Sequence, residues 1–379
     1  MLNHFKILCK QYAQLLNKRV ISSAISLFVE SCETTIFAFY IKEITIAFLP
    51  VDTSSLWFSW QFIYALAYIP RPIGSWLFGR WAKSLGHTNA LNVSLTLMAI
   101  CSLVVYTLPT YQDIGIYATY ILMCTRIIQG FSLAGEFPLG IINNIVYGSQ
   151  ESPHMINAFL YASGTLGILL VNFLSITQFK EWRLIFLFGV FLATIGIIIR
   201  TYYLKDDFIA EDLITINVTT ENDIQSTNPQ AKPFLVALFL STHFSLCNLW
   251  WRESFFMYDP YQGRLLTLFA NVLVVMFGLI FAYWMDRKDL NVSNLIYQYG
   301  WYTTIPLVIG QMIMSMYNYH LVAIIFYVLS KCWIAPFAVH YATMHLTNYN
   351  KTSAIFPWGS GAVIGASVPI LLGLLIQIF

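Results

Sequence analysis

Charged residues are scarce in this sequence. Asp, Glu, Lys and Arg make up 10% of its 379 residues, whereas hydrophobic residues make up 58%. Soluble proteins carry about 25% charged residues, and a soluble chain of this length could not cover its surface with so few. The composition therefore predicts an integral membrane protein in contact with membrane lipid. The net charge of +2 does not indicate a nucleic-acid partner.

Motifs of enzymes and metal sites are also lacking. The six cysteines are scattered, with no CxxC pair and no Cys/His group at metal-ligand spacing. No nucleophile elbow and no phosphate-binding glycine loop occurs. Residues 1–19 carry polar and basic groups throughout, unlike a cleavable signal peptide. We expect no enzyme activity, no catalytic residue, no metal and no cofactor.

Long uncharged segments recur along the chain, for example at residues 84–112 and 152–179. A membrane-spanning helix needs ~20 apolar residues, and these segments are apolar on all faces. The pattern predicts an all-α integral membrane fold. We predict eleven spans, at residues 20–40, 55–82, 90–108, 114–138, 155–177, 184–204, 234–251, 265–285, 299–317, 321–343 and 354–378.

One long polar stretch, residues 205–232, divides the spans. We predict a first helical bundle at 1–204, a cytoplasmic linker at 205–232 and a second bundle at 233–379. Lys and Arg concentrate in cytoplasmic loops. A cytoplasmic amino terminus places twelve of them inside, Arg200 among them, and four outside. We therefore expect a multi-pass protein of the plasma (inner) membrane with its amino terminus in the cytoplasm.

Ionisable residues inside spans are energetically costly and are therefore candidate functional residues. Besides Arg80 and Arg200, which we count among the cytoplasmic cations, three carboxylates and three cations fall there, a balance that favours mutual pairing around a wet interior. They are Glu30, Glu33, Arg71, Arg126, Glu136 and Lys331.

Glu30 and Glu33 lie three residues apart, on one helix face. Two carboxylates at that distance repel, so one of them is expected to hold a proton and release it when water or a cation arrives. This is the behaviour of a proton-coupling site. The alternative is that both are permanently paired with cations and only orient helices.

Four segments of the first half resemble the major facilitator superfamily, in its metabolite:proton symporter branch. Residues 71–88 (RPIGSWLFGRWAKSLGHT) are similar to the loop between the second and third helices, and Arg126–Phe137 (RIIQGFSLAGEF) to the fourth helix. SLFVESCETTIFAF, around Glu33, and EWRLIFLFG, from Glu181, resemble the first and sixth helices. They occur in the family's order, which makes the set much more specific than each motif alone.

The second half carries fainter signals of the same family. AYWMDR at 282–287 comes after the eighth span, in the position that the loop motif at 71–88 has relative to the second span. Residues 353–369 resemble the family's glycine-rich eleventh helix. The resemblance implies two helical bundles, twelve spans where we predict eleven, a monomer, and a proton gradient as energy source. The branch includes proline/betaine, α-ketoglutarate and shikimate permeases.

The resemblance also implies a cytoplasmic gate. Its candidate residues come from both loop motifs and the fourth helix: Arg71, Gly79, Lys83, Gly86, Glu136, Asp286 and Arg287. Lys83 stands where the family has Asp, so the charge of this loop is reversed. We hypothesise that Lys83 pairs directly with Glu136. The alternative is an exposed lysine that follows the positive-inside rule.

Arg126, Gln129 and Lys331 are candidate substrate-binding residues. Arg126 lies twelve residues into its span, about 18 Å deep and near the membrane midplane, where a guanidinium can bind a carboxylate. Gln129 lies one turn on, and Lys331 adds a cation from the second bundle. Alternatively, Glu30 or Glu33 neutralises Arg126, and Lys331 extends to the interface.

Three functions remain open from the sequence. The first is proton-coupled uptake, by alternating access, of a small anionic or zwitterionic metabolite, either an organic acid or an osmolyte. The second is proton-antiport export within the same superfamily. The third is a transport-inactive membrane sensor, which the reversed loop charge and the missing twelfth span keep possible.

Overall fold

The structure is a computed structural model that describes residues 18–50, 63, 66–147, 153–177, 179–203, 238, 242, 260–287, 306–307, 309–311, 313–314 and 319–332. Every regular element among these residues is a helix, which agrees with the predicted all-α fold. The predicted linker at 205–232 and the last predicted span, 354–378, lie outside the described residues. So do most residues of the predicted spans at 234–251 and 299–317.

The described helices are numbered here in chain order. They are α1 (Lys18–Phe39), α2 (Ile41–Phe48), α3 (Arg71–Leu85), α4 (His87–Thr107), α5 (Tyr111–Ile114), α6 (Ile116–Tyr147), α7 (Pro153–Ile176), α8 (Trp182–Tyr203), α9 (Pro260–Met285) and α10 (His320–Cys332).

Five described helices, α1, α4, α7, α8 and α9, are long and apolar enough to cross a membrane, and α10 is a shorter apolar helix. Each falls on a predicted span. Their outward faces carry exposed apolar side chains such as Ile100, Phe191 and Ile280, as contact with lipid requires. The chain is therefore a multi-pass membrane protein.

The second predicted span, 55–82, is not continuous. Residues 67–70 form a turn, and α3 begins directly after it with Pro70 at its N-cap and Pro72 in its first turn. A proline at the start of a helix removes an N–H group that would have no acceptor within the helix. The two prolines therefore favour a new helix start here, inside the predicted span.

Helix α6 continues to Tyr147, beyond the predicted end at residue 138, although Pro138 lies inside it. A proline cannot donate to the carbonyl four residues earlier, which here is that of Ala134. The hydroxyl of Ser75 on α3 donates to this carbonyl instead, at 3.4 Å. A side chain from a neighbouring helix thus supplies the hydrogen bond that Pro138 lacks.

Helix α1 lies at the centre of the first bundle, where it packs against α6, α7 and α8. Helix α9 packs along α7 and runs antiparallel to it, because Asp286 contacts His154 at one end and Arg264 contacts Asn172 at the other. Helix α10 joins α9 through an apolar cluster. The contact between α7 and α9 thus connects the first six predicted spans to the later ones.

Two connections show how local sequence places the helices. Gly86, between α3 and α4, has φ 88°, which lies in a region that favours glycine. Helix α5 begins with a capping box, in which Thr110 donates to Asp113 from its hydroxyl and its backbone N–H. The Thr110 hydroxyl holds the pKa of the exposed Asp113 carboxyl below its usual range.

Candidate functional site in the first bundle

Arg126 on α6 is buried, with 2% of its surface exposed. Its Nη1 donates to Oε1 of Gln129 at 2.9 Å, and its Nε donates to the carbonyl oxygen of Ile63 at 3.4 Å. The guanidinium carbon lies 3.9 Å from the ring centroid of Phe37 on α1, within range of a cation–π interaction. Groups from three parts of the chain thus hold Arg126 in place.

Glu33 on α1 is equally buried, at 2% exposure, and interacts electrostatically with Arg126. Glu30, one turn earlier, is half-buried and interacts electrostatically with Arg71 and Glu136. Each of the two predicted proton-coupling carboxylates therefore lies near a different cation. Inside a membrane a carboxylate and a nearby cation stabilise each other, because lipid cannot solvate either charge.

Gln129 lies one helical turn from Arg126 and is buried with it. Its Oε1 accepts the hydrogen bond from Arg126, while its Nε2 has no hydrogen-bond partner among the described residues. The structure therefore brings Arg126, Gln129 and Glu33 together, which also fits the alternative in which Glu33 neutralises Arg126, and it leaves an amide donor beside the guanidinium. Such a pair can bind a carboxylate or another polar group.

Lys331 on α10 is buried at 2% exposure, and its Nζ lies 5.7 Å from the ring centroid of Tyr327. The Tyr327 hydroxyl donates to Oδ1 of Asn271 on α9 at 3.4 Å. The buried position does not fit the alternative in which Lys331 extends to the membrane interface. Asn271 and Tyr327 were not predicted, because neither residue type is unusual in a membrane helix.

Glu136 pairs with Arg200, not with Lys83. Both Nη groups of Arg200 lie 3.4 Å from Oε1 of Glu136, and the side chains are 1% exposed. Arg200 also donates to the hydroxyls of Ser22 and Ser26 on α1. Counted from the sequence among the cytoplasmic cations, Arg200 has a side chain that is buried among the helices. It lies in the last turn of α8 and ties α1, α6 and α8 together.

The predicted gating residues of the first loop motif lie along α3 and at its end. Gly79 is buried, whereas Lys83 is exposed. The hypothesis of a direct Lys83–Glu136 pair is therefore wrong, and Lys83 is exposed, as the alternative expected. Arg71 donates from Nε to the carbonyl oxygen of Ala67 at 3.2 Å. Its guanidinium also lies over the Tyr68 ring.

Asp286, the predicted gating residue after α9, binds the start of α7. The backbone N–H of His154 donates to Oδ1 at 3.1 Å, and that of Met155 donates to Oδ2 at 3.0 Å. The ring Nδ1 of His154 lies 2.6 Å from Oδ1. A carboxylate at a helix N-terminus satisfies N–H groups that lack an acceptor within the helix, and it interacts favourably with the helix dipole. Arg287 beside it is exposed and lies over the Tyr283 ring.

Replacing Asp286 by alanine is expected to speed hydrogen exchange at the first turn of α7 about fivefold. An N-cap of this kind stabilises a helix start by about 1 kcal/mol, and local opening controls exchange. Hydrogen–deuterium exchange of the purified protein, read by mass spectrometry on peptides covering residues 153–160, measures the effect. Arg287→Ala is the matched control, and equal exchange in the two variants would contradict the role of Asp286.

Arg264 connects the opposite end of α9 to α7 and α1. Its Nη1 donates to the carbonyl oxygen of Ser175 at 2.9 Å, and its Nη2 donates to that of Phe39 at 3.4 Å. The Asn172 side chain donates to the carbonyl oxygen of Arg264 at 2.9 Å. This contact was not predicted, since in sequence Arg264 is only a loop arginine near the start of a span.

No protein-family model matches the sequence. The chain is 34% identical, over 148 residues, to the inner membrane metabolite transport protein YhjE of Escherichia coli, a match that covers 36% of this chain and 33% of the relative. It is 29% identical, over 166 residues, to a Staphylococcus aureus protein named as a proline/betaine transporter, covering 40% and 34%. These matches span about a third of each relative's length.

Solved structures show the same fold over nearly the whole chain. The proton:xylose symporter XylE, of the major facilitator superfamily, matches with a TM-score of 0.72 at 13% identity, covering 95% of this chain and 88% of that one. The partially occluded, inward-open form of XylE from E. coli matches with a TM-score of 0.65 at 13% identity, covering 93% and 92%. These relatives and neighbours are transporters, not enzymes. The chain therefore has the major facilitator superfamily fold, and it is a sequence relative of metabolite transporters.

Proposed function

We propose that the chain imports a small anionic or zwitterionic metabolite together with protons, by alternating access. The observation that carries this proposal is the buried group of Glu33, Arg126 and Gln129. A guanidinium held between a carboxylate and an amide can exchange one anionic partner for another. A substrate carboxylate is such a partner.

Proton and substrate binding support each other in this arrangement. When Glu33 takes up a proton, the charge of Arg126 is no longer compensated by that carboxylate, and Arg126 binds a substrate carboxylate more strongly. Gln129 adds a hydrogen bond from its Nε2, and Lys331 adds a second cation from α10. By linkage, the bound substrate favours the protonated form of Glu33 to the same extent. Net uptake then follows the proton gradient.

The substrate class is a carboxylate, either alone or in a zwitterion. The proline/betaine transporters among the relatives carry names of substrates with one carboxylate and a cationic nitrogen. Organic acids also fit, because organic acids and zwitterions both contain a carboxylate, which a guanidinium binds in a bidentate manner.

Alternating access requires contacts that open at one membrane face while others close. Asp286 connects α9 to the start of α7, and Arg264 connects α9 to the ends of α7 and α1. We propose that the first contact belongs to the cytoplasmic gate and the second to the outer gate. Arg71, Gly79, Lys83, Gly86, Glu136 and Arg287 remain gating candidates, and Glu30 remains a second proton-coupling candidate.

We place the protein in the plasma (inner) membrane as a monomer surrounded by lipid, with its amino terminus in the cytoplasm. The distribution of Lys and Arg supports this orientation. The cycle needs one chain, a small substrate and protons. The proton gradient supplies its energy without a cofactor.

Purified protein in liposomes with an inward proton gradient is expected to accumulate at least one of labelled proline, glycine betaine, α-ketoglutarate and shikimate. A protonophore should abolish the accumulation. Glu33→Gln should reduce it at least about tenfold, the effect of losing about 1.4 kcal/mol of coupling, while exchange of substrate across the membrane continues. Exchange needs no net movement of protons and therefore does not need a titrating Glu33.

Glu181→Gln is the control for this experiment, because Glu181 is an exposed glutamate outside the helices. Full accumulation by Glu33→Gln would remove Glu33 from the coupling mechanism. Efflux driven by the same gradient would instead identify an antiport exporter. Absence of flux in either direction would identify the inactive sensor.

A further inference from the structure

The carboxylate of Glu33 lies among side chains and backbone from four helices. Helix α1 carries it, α6 presents Arg126, α4 presents Ser102, and α8 presents Gly189. Ser102 is fully buried. The sequence interpretation singled out neither Ser102 nor Gly189, and the mechanism proposed above does not use them.

Gly189 is where α8 comes close to the carboxylate. A Cβ atom at this position would lie 2.8 Å from Oε1 of Glu33 and 3.4 Å from its Cγ, too close for a real methyl group. A glycine inside a helix costs about 0.5–1 kcal/mol relative to alanine. The absence of a side chain at position 189 therefore leaves the space that the Glu33 carboxylate occupies.

Ser102 faces the same carboxylate from α4. Its buried Oγ lies within hydrogen-bonding reach of the Glu33 carboxyl group, and neither side chain has another hydrogen-bond partner among the described residues. A hydroxyl group can donate to a charged carboxylate and accept from a protonated one. A hydrogen bond between Ser102 and Glu33 would therefore satisfy both side chains, whichever way the proton lies.

We propose that Ser102 and Gly189 are positioning residues for the proton carried by Glu33. Gly189 leaves room for the carboxyl group, and Ser102 hydrogen-bonds it in both protonation states. This inference rests on the proposed function, in which Glu33 carries the coupled proton. It adds that the proton is held toward α4 and α8, within the first bundle.

Other groups also face Glu33 and act on its charge. Arg126 from α6, Cys101 from α4 and Cys32 on α1 interact with it electrostatically. Helix α7 presents the carbonyl oxygen of Gly167 to the thiol of Cys32. These groups are the same in the variants tested below, so they do not account for a difference between them.

The test is infrared spectroscopy of the full-length protein in lipid vesicles, titrated from acidic to alkaline pH. The carbonyl stretching band that disappears in Glu33→Gln belongs to protonated Glu33. Ser102→Ala should make Glu33 bind its proton about tenfold more tightly, about one pH unit in the titration midpoint, because the hydrogen bond that Ser102 donates to the charged form is stronger than the one it accepts from the protonated form. Gly189→Ala should change the frequency of the band, because the methyl group displaces the carboxyl group.

Gly196→Ala is the matched control on α8, because its added Cβ would meet only the ends of apolar side chains, Leu95 at 3.0 Å and Ile25 at 3.6 Å. Ser102→Ala removes an atom and adds none, so it tests the inference even where Gly189→Ala does not fold. An unchanged Glu33 band in Ser102→Ala would overturn the inference and leave the proposed function intact. If Glu33→Gln removes no titrating band, Glu33 carries no exchangeable proton, and both the coupling role and this inference fail.

Discussion

Replacing Arg200 by methionine is expected to destabilise the protein by about 3–5 kcal/mol, the usual effect of removing one partner of a buried ion pair. The change leaves the Glu136 carboxylate buried without its cation and near Glu30. It also removes the donor to the Ser22 hydroxyl. Methionine fills much of the same volume, so the loss reports on charge rather than on a cavity. Unfolding of the purified protein in detergent measures the effect.

Arg80→Met is the matched control, since Arg80 is exposed and lies over the Trp76 ring. Its loss should change the free energy of unfolding by no more than about 0.5 kcal/mol. The double variant Arg200→Met with Glu136→Leu should regain most of the lost stability, because apolar residues can replace a buried ion pair. Equal stability of Arg200→Met and Arg80→Met would show that the Arg200–Glu136 pair does not stabilise the bundle.

Gly130→Ala is expected to destabilise the protein by about 3 kcal/mol or more, at the upper end of overpacking effects. A Cβ atom at this position would overlap the carbonyl oxygen of Ala67. That neighbour is backbone and cannot rotate away, so α6 must separate from the turn before α3. The change also lies beside Gln129 and should disturb the position of Arg126. The yield of monodisperse protein and its melting temperature measure the outcome.

Gly140→Ala provides the comparison, because the added Cβ on the same helix would lie 3.7 Å from the Leu160 side chain. That is an ordinary contact, and the variant should gain up to about 1 kcal/mol from the higher helix propensity of alanine. If Gly130→Ala proved as stable as Gly140→Ala, the close approach of α6 to the Ala67 backbone would be wrong.

The sequence predicted the helices well where a long apolar run ends in polar residues. Helices α4, α7 and α8 begin and end within a few residues of their predicted spans. The predicted helix ends were wrong at two prolines: one proline starts a helix that was not predicted, and a helix continues through the other. Pro70 starts a new helix inside a predicted span, whereas α6 continues through Pro138 because Ser75 replaces the missing hydrogen bond. That replacement depends on a contact between helices, which apolar runs do not reveal.

The sequence predicted only part of the candidate site, again because contacts between helices are not visible in the sequence. Arg126 and Glu33 stand out because charges are rare in spans, and the structure places them together. Arg200 is also a charge inside a predicted span, but its place near the end of that span suggested a loop residue. Its burial against Glu136 depends on how α1, α6 and α8 pack. Gly189 carries no sequence signal, because its role depends on the side chain opposite.

The two sides of the contact between Asp286 and α7 depend on the sequence to different extents. Two of its donors are the peptide N–H groups of His154 and Met155, which any residue except proline supplies. Side chains in the first turn of α7 can therefore drift over evolutionary time without removing these donors. The acceptors depend on one position, 286. A single substitution at 286 can abolish or restore this link between α9 and α7, whereas replacing the Arg200–Glu136 pair by apolar residues needs two matched changes.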